Sequence, residues 1–119
     1  MAERVQDRRR HPRVDLDVNA TITANEGGFE ARVRNISMSG LLLHSERQVP
    51  EMTIVGMRLS LPRQVERNIP AMAFEISGAV VRCDPIEEGE GGFELAVFLT
   101  DMPRESREAL HDFIKNRLV

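Results

Sequence analysis

The chain has 119 residues, 41% of them hydrophobic, with 16 Lys and Arg against 19 Asp and Glu and a formal net charge of −3. This length suits one domain that buries a core without disulfides or metals as supports, and an acidic chain without Trp or Tyr is a poor general nucleic-acid binder. No stretch approaches the roughly 18 apolar residues of a membrane span, and the charged amino terminus is unlike a signal peptide, so we expect a cytoplasmic protein without direct membrane insertion.

Positive charge is concentrated at the start of the chain. Residues 1–13 carry five arginines and two acidic residues, a net charge of +3, so the rest of an overall −3 chain carries −6. Pro12 disfavours a helical conformation at His11, and the segment has no hydrophobic periodicity, which predicts an extended or mobile arm over residues 1–13. Taken alone, this arm is either a solvated basic tail or a site for a local anion.

Alternating apolar residues predict a β-hairpin after the arm. The run 14–22 alternates strictly, which indicates a half-buried strand. Turn-forming residues follow at 25–28, and the alternation resumes over 29–33. At Asn35 the apolar residues move from odd to even positions, which predicts a bulge or tight turn in the segment 35–40.

Four further apolar runs predict four more strands, within 41–43, 55–61, 72–81 and 93–99. Gly78 interrupts the third of these runs and predicts a bend or bulge there. The connecting segments "ERQVPE", "PRQVERNIP" and "DPIEEGEGG" contain Pro or Gly, as expected of surface loops.

The last segment predicts one helix over about residues 102–118, with Asp101 as its cap and Pro103 in its first turn. Its apolar stripe consists of Leu110, Phe113, Ile114 and Leu118. Six short strands without alternating helices predict an all-β fold, a small six-stranded antiparallel (split) β-barrel with a C-terminal α-helix. Residues 14–119 would form this barrel and its helix.

Two groups of residues carry the chemistry that the sequence offers. The first is the arginine group of the arm, and the second is the polar turn "NISMSG", in which short Asn and Ser side chains can meet a base edge and Gly permits close backbone approach. An ordinary turn uses the same residue types. The candidates are Arg8, Arg9, Arg13, Asn35, Ser37 and Gly40.

Together, the two groups resemble the paired signature of PilZ domains. That signature is Arg-Arg-x-x-x-Arg, followed some twenty to thirty residues later by Asp or Asn, x, Ser, x, x, Gly, and every defined position is filled here. The resemblance covers the whole chain, since PilZ domains are similar six-stranded barrels. The sixth-strand region "EGGFELAVFL" matches the family pattern only loosely.

The resemblance implies binding of cyclic di-GMP, a bacterial second messenger with two guanines and two phosphates. By analogy, the motif arginines would hold phosphates and stack on or pair with guanine, and Asn35, Ser37 and Gly40 would receive a guanine. Arg10 lies outside the motif positions and is a possible additional contact. Arg82, on the fifth strand, could reach this site, but an outer-face position is the expectation for a lone strand arginine.

No catalytic or metal site is expected. His11, His44 and His111 share no metal-like spacing, and the lone cysteine, Cys83, is expected to be a small core residue. We therefore expect a receptor or adaptor that needs no cofactor, whose arm orders onto the barrel with the ligand and changes the surface offered to a downstream protein partner. The alternatives are a nucleotide-independent protein-interaction module of the same fold and a weak single-strand nucleic-acid binder, which the acidic body disfavours.

Overall fold

A computed structural model describes residues 12–24, 27–63, 65–66, 68, 70–89 and 91–118. Its elements in chain order are β1 (Val14–Ala24), β2 (Gly27–Ile36), β3 (Gly40–Ser45), β4 (Ile54–Leu61), β5 (Met72–Pro85), β6 (Phe93–Asp101) and α1 (Arg104–Leu118). The strands pair antiparallel in the order β1-β2-β3-β6-β5-β4, and β4 pairs with β1 to close the barrel. The predicted six-stranded antiparallel barrel with a C-terminal helix is confirmed.

The inward-facing residues of the alternating strands form the core. Successive side chains of a strand point to opposite faces, so the strands bury alternate residues over most of their length, while β3 and β5 also bury consecutive residues at 40–41 and 78–80. Every strand supplies a side chain with at most 1% of its surface exposed, namely Ile22, Val33, Leu43, Leu59, Phe74 and Leu95. Cys83 is half-buried and packs against this core.

The helix α1 packs against β5 and β1 through its apolar stripe. Leu110, Phe113 and Ile114 are buried, as predicted, and the side chain of Leu118 lies outside the described part of the structure. Within the described residues, no helix is both long and apolar enough to cross a bilayer.

The predicted cap of this helix is wrong. Asp101 is the last residue of β6, where it pairs with Ser77 of β5. The backbone N–H of Arg107 donates to the carbonyl of Pro103 at 2.9 Å, so Pro103 supplies the first acceptor of the helix. The ladder with β5 holds Asp101 in an extended strand, and the helix begins only at Arg104.

The barrel ladder shifts register at both places where the apolar alternation changes. The register of β2 against β3 shifts between Val33 and Asn35, and that of β5 against β6 shifts beside Gly78 and again after Val80. The bend or bulge predicted at Gly78 is confirmed. For the segment 35–40 the prediction was a bulge or a tight turn, and the structure has a register shift just before Asn35 and a tight turn closed by the Ser37 N–H and the Gly40 carbonyl at 2.8 Å. Such irregularities bend a strand and re-aim the neighbouring side chains.

Candidate ligand-binding site

Arg13 and Asn35 are in contact on the outside of the barrel. Arg13 Nη1 donates a hydrogen bond to Asn35 Oδ1 at 2.8 Å, across 22 residues of sequence. Arg13 directly precedes β1, and Asn35 is the second-last residue of β2. The antiparallel pairing places Val14 opposite Ile36 and Asp15 opposite Asn35, so these two strand ends lie side by side. The barrel therefore joins one residue of each predicted group.

The hydrogen bond also fixes the orientation of the Asn35 amide. A guanidinium group has donors only, so the amide atom that faces it must be the oxygen. The amide NH₂ group, with its two donor hydrogens, then lies on the other branch of the side chain. Such a group suits an acceptor on a base edge.

Ser37 lies in the turn between β2 and β3 and is only 1% exposed. Its Oγ accepts hydrogen bonds from the backbone N–H groups of Ser39 and Gly40, each at 3.2 Å, and lies 3.2 Å from the Gly40 carbonyl, to which it donates. The Ser37 backbone N–H donates to the same carbonyl at 2.8 Å. The hydroxyl therefore holds the turn together, and the ligand contact predicted for Ser37 stays a prediction.

We expect Ser37→Ala to lower the free energy of unfolding by about 1–2 kcal/mol, since two backbone donors of the turn lose their acceptor in a buried place. Urea denaturation of the two proteins measures this difference. The matched control is Ser60→Ala, at an exposed position of β4, which should change stability by less than about 0.5 kcal/mol. Equal midpoints for Ser37→Ala and the parent would contradict the structural role of this hydroxyl.

Gly40 begins β3 and lies against the backbone of β6. A Cβ atom at this position would be 2.6 Å from the Val97 carbonyl oxygen, a distance that real Cβ atoms do not reach. Gly40 is not among the residues with positive φ, so the requirement for glycine here comes from close strand approach. The backbone N–H of Leu99 donates to the Ser39 carbonyl at 2.9 Å, and this bond ties the turn to β6.

The other arginines of the predicted site, Arg8, Arg9 and Arg10, lie outside the described residues. Arg82 lies on the outer face, as expected, and forms ion pairs with Asp84 at 2.7 Å and Glu94 at 3.1 Å. These carboxylates balance its charge, so the structure gives it no role at the Arg13–Asn35 contact.

The outer face of β1 and β2 beside the site carries its own ion pairs. Arg32 bonds to Asp17 at 2.7 Å and to Asn19 at 3.0 Å, and Arg34 lies 3.7 Å from Asp17. All three ionic side chains are about half exposed. Exposed pairs of this kind contribute little to stability, and the single carboxylate of Asp17 is shared by the two strand arginines next to Asn35.

One contact near the site could not be predicted from the sequence. Arg117 Nη2, in the last turn of α1, donates to the backbone carbonyl of Asp15 at 3.0 Å. Asp15 is the residue opposite Asn35 in the ladder. The two partners are 102 residues apart, and the sequence predicted only that Arg117 suits the helix end. The last helix is therefore tied to the strand that follows Arg13.

A cavity of about 510 Å³ lies elsewhere, lined by the beginning of β2 and the loop between β3 and β4. Arg47 places its guanidinium 5.1 Å from the centre of the Phe29 ring at this place. Asn35 is at the opposite end of β2, and of the predicted ligand residues that the structure describes, none lines this cavity. Among the described residues, no group of three or more His, Cys, Asp or Glu side chains could hold a metal ion.

Three features of this structure define a class of small β-barrel domain. They are the closed barrel, the arginine directly before β1 and the Asn-x-Ser-x-x-Gly turn between β2 and β3. The chain belongs to the PilZ domain family, whose family model matches residues 7–116. The match includes the arginine segment and all residues of the turn. Members of this family are receptor or adaptor modules.

Solved structures with the same fold support this assignment. The Bacillus subtilis inhibitor of motility, MotI/DgrA, has a TM-score of 0.76 and 17% identity, over 92% of this chain and 51% of that one. The PilZ domain of YcgR from Escherichia coli, with c-di-GMP, has a TM-score of 0.67 and 12% identity, over 92% and 91%. The PilZ domain of CeSA from a cellulose-synthesizing bacterium has a TM-score of 0.60 and 12% identity, over 88% and 96%.

At these sequence identities, the comparison with solved structures shows a shared fold. The chain spans about half the length of the motility inhibitor. A search of the curated proteins found no significant match.

Proposed function

We propose that this PilZ domain is a cyclic di-GMP receptor. The observation that carries the proposal is the 2.8 Å hydrogen bond from Arg13 to Asn35, because it brings the two halves of the family signature into contact on one patch of the barrel. The solved structure of YcgR, which has the same fold, is that of its PilZ domain with c-di-GMP, and the family match extends over the arginine segment.

The chemistry of the contact suits this ligand. Arginine binds phosphate oxygens through two parallel hydrogen bonds and pairs with the O6 and N7 edge of guanine. The NH₂ group of Asn35 points away from Arg13 and can donate to a base acceptor. In the proposed complex, Arg13 donates hydrogen bonds to a phosphate and to Asn35, and the NH₂ group of Asn35 donates to the edge of a guanine. Arg8 and Arg9 hold the remaining phosphate charge, with Arg10 as an additional contact.

Ser37 and Gly40 hold the backbone of the same site in place. Ser37 holds the turn that follows Asn35, and Gly40 brings that turn against β6. In the proposal, both residues shape the surface that receives the base. The ligand draws the arm of residues 1–13 onto the barrel, and the altered surface is offered to a downstream protein partner in the bacterial cytoplasm.

Isothermal titration calorimetry with cyclic di-GMP, GTP and a short single-stranded oligonucleotide tests the proposal. We expect binding to cyclic di-GMP alone. Absence of binding to all three would favour the alternative, a nucleotide-independent interaction module of the same fold. Binding to the oligonucleotide that weakens steeply with salt would indicate a nucleic-acid binder.

A further inference from the structure

Exposed apolar side chains are concentrated on one side of the barrel exterior, whereas β1 and β2 present mainly polar and charged residues. Among the described residues, the large apolar side chains that are at least half exposed are Met52, Ile54, Val65, Val81 and Phe98. Three of these belong to the adjacent strands β4, β5 and β6, and Met52 bonds through its backbone N–H to the Val80 carbonyl of β5. The exposed apolar side chains of the strands therefore lie on the outer face of β4, β5 and β6, which also carries the ion pairs of Arg82.

Phe98 is the residue of this face that lies next to the candidate site. Phe98 is 54% exposed, while its neighbour Val97 is 3% exposed and points into the core. In the ladder, Phe98 lies opposite Gly40 of β3 and Ala79 of β5, and Ile54 of β4 lies beyond Ala79. Glycine on one side and alanine on the other leave the ring with small neighbours, so a flat group can approach it.

The adjacent row of the ladder connects Phe98 to Asn35. Leu42 of β3 lies opposite both Asn35 of β2 and Ala96 of β6, and Leu42 is two residues from Gly40. Strands about 4.8 Å apart with a rise of about 3.3 Å per residue place the Cα atoms of Phe98 and Asn35 about 12 Å apart. The half-buried Leu42 and Ala96 form an apolar floor between the two.

We propose that the Phe98 ring is a stacking surface for a purine base of the nucleotide that binds at Arg13 and Asn35. This inference rests on the proposed function and extends it. Asn35 contacts one base by its edge, and the ligand lies across Leu42 with a base face against Phe98. Base stacking on an exposed aromatic ring favours a planar ligand without reading its identity, so Asn35 supplies specificity and Phe98 supplies affinity.

The test is titration calorimetry of cyclic di-GMP against the parent chain and three variants. Phe98→Leu keeps an apolar side chain and removes the ring, and we expect about tenfold weaker binding, equivalent to about 1.4 kcal/mol. Phe98→Tyr keeps the ring face and should stay within about twofold of the parent. The matched control, Ile54→Ala, changes an exposed residue of the same row on β4, two strands away from Phe98, and should bind like the parent.

The outcomes separate this inference from the proposed function. If the parent does not bind cyclic di-GMP, the proposed function fails and the inference fails with it. If the parent binds and Phe98→Leu binds equally well, only the role of Phe98 is overturned. A second measurement on the parent avoids any effect of substitution on folding: phenylalanine-labelled protein should show an upfield ring shift at Phe98 upon binding, and an unchanged resonance overturns the inference.

Discussion

Arg13→Ala should weaken the binding of cyclic di-GMP by on the order of 2 kcal/mol or more, because the ligand loses a charged hydrogen-bond partner and Asn35 loses the group that orients it. The free energy of unfolding should change by less than about 0.5 kcal/mol, since Arg13 is exposed and precedes the first strand. Calorimetry measures the affinity, and urea denaturation measures the stability.

The matched control for Arg13→Ala is Arg104→Ala. Arg104 is 88% exposed at the start of α1 and forms an ion pair with Glu108 at 3.5 Å. This variant removes the same charge at a place without site residues, so its affinity should equal that of the parent. If Arg13→Ala stays folded and binds as well as Arg104→Ala, the proposed site is wrong.

Gly40→Ala should destabilise the barrel by about 1–3 kcal/mol, the usual cost of overpacking a well-packed position. The new methyl group would be 2.6 Å from the Val97 carbonyl oxygen, so β3 and β6 must separate or the turn must move. Both strands contribute fully buried side chains, Leu43 and Leu95, and their separation would disturb the core. Urea or thermal unfolding measures the loss of stability.

Gly56→Ala is the matched control, because Gly56 is also a strand glycine of the same barrel. A Cβ atom there would meet only Thr23 Cβ at 3.9 Å, an ordinary contact distance. Alanine at such a position restricts the unfolded chain and should leave stability unchanged or raise it by up to about 1 kcal/mol. Equal stabilities of the two variants would contradict the close approach at Gly40.

The strands were predictable because each of them buries one face against a single core. Alternation then marks every strand, and a change of parity marks a bulge, as at Asn35 and Gly78. The closing pair of β1 with β4 was not predictable, since alternation tells which face is buried and not which strand lies alongside. Asp101 was assigned to the helix because a carboxylate before Pro103 resembles a cap, while the ladder that holds it depends on distant Ser77.

The candidate site was predictable only in its composition. The motif names Arg13 and Asn35, and the fold brings them together. The burial of Ser37 could not be predicted, because the sequence of a turn does not show whether a serine hydroxyl faces solvent or the backbone. The contact of Arg117 with Asp15 depends on long-range packing, for which local sequence has no signal.

The closure of the sheet limits how other molecules can recognise this domain. Since β4 pairs with β1, every strand has a hydrogen-bonded neighbour on both sides. No whole strand is therefore an open edge, and only short stretches such as residues 14–19 of β1, which have no partner in β4, could accept an added strand or support edge-to-edge aggregation. Recognition should therefore proceed mainly through side chains on the barrel wall, where single substitutions can alter it without breaking the ladder.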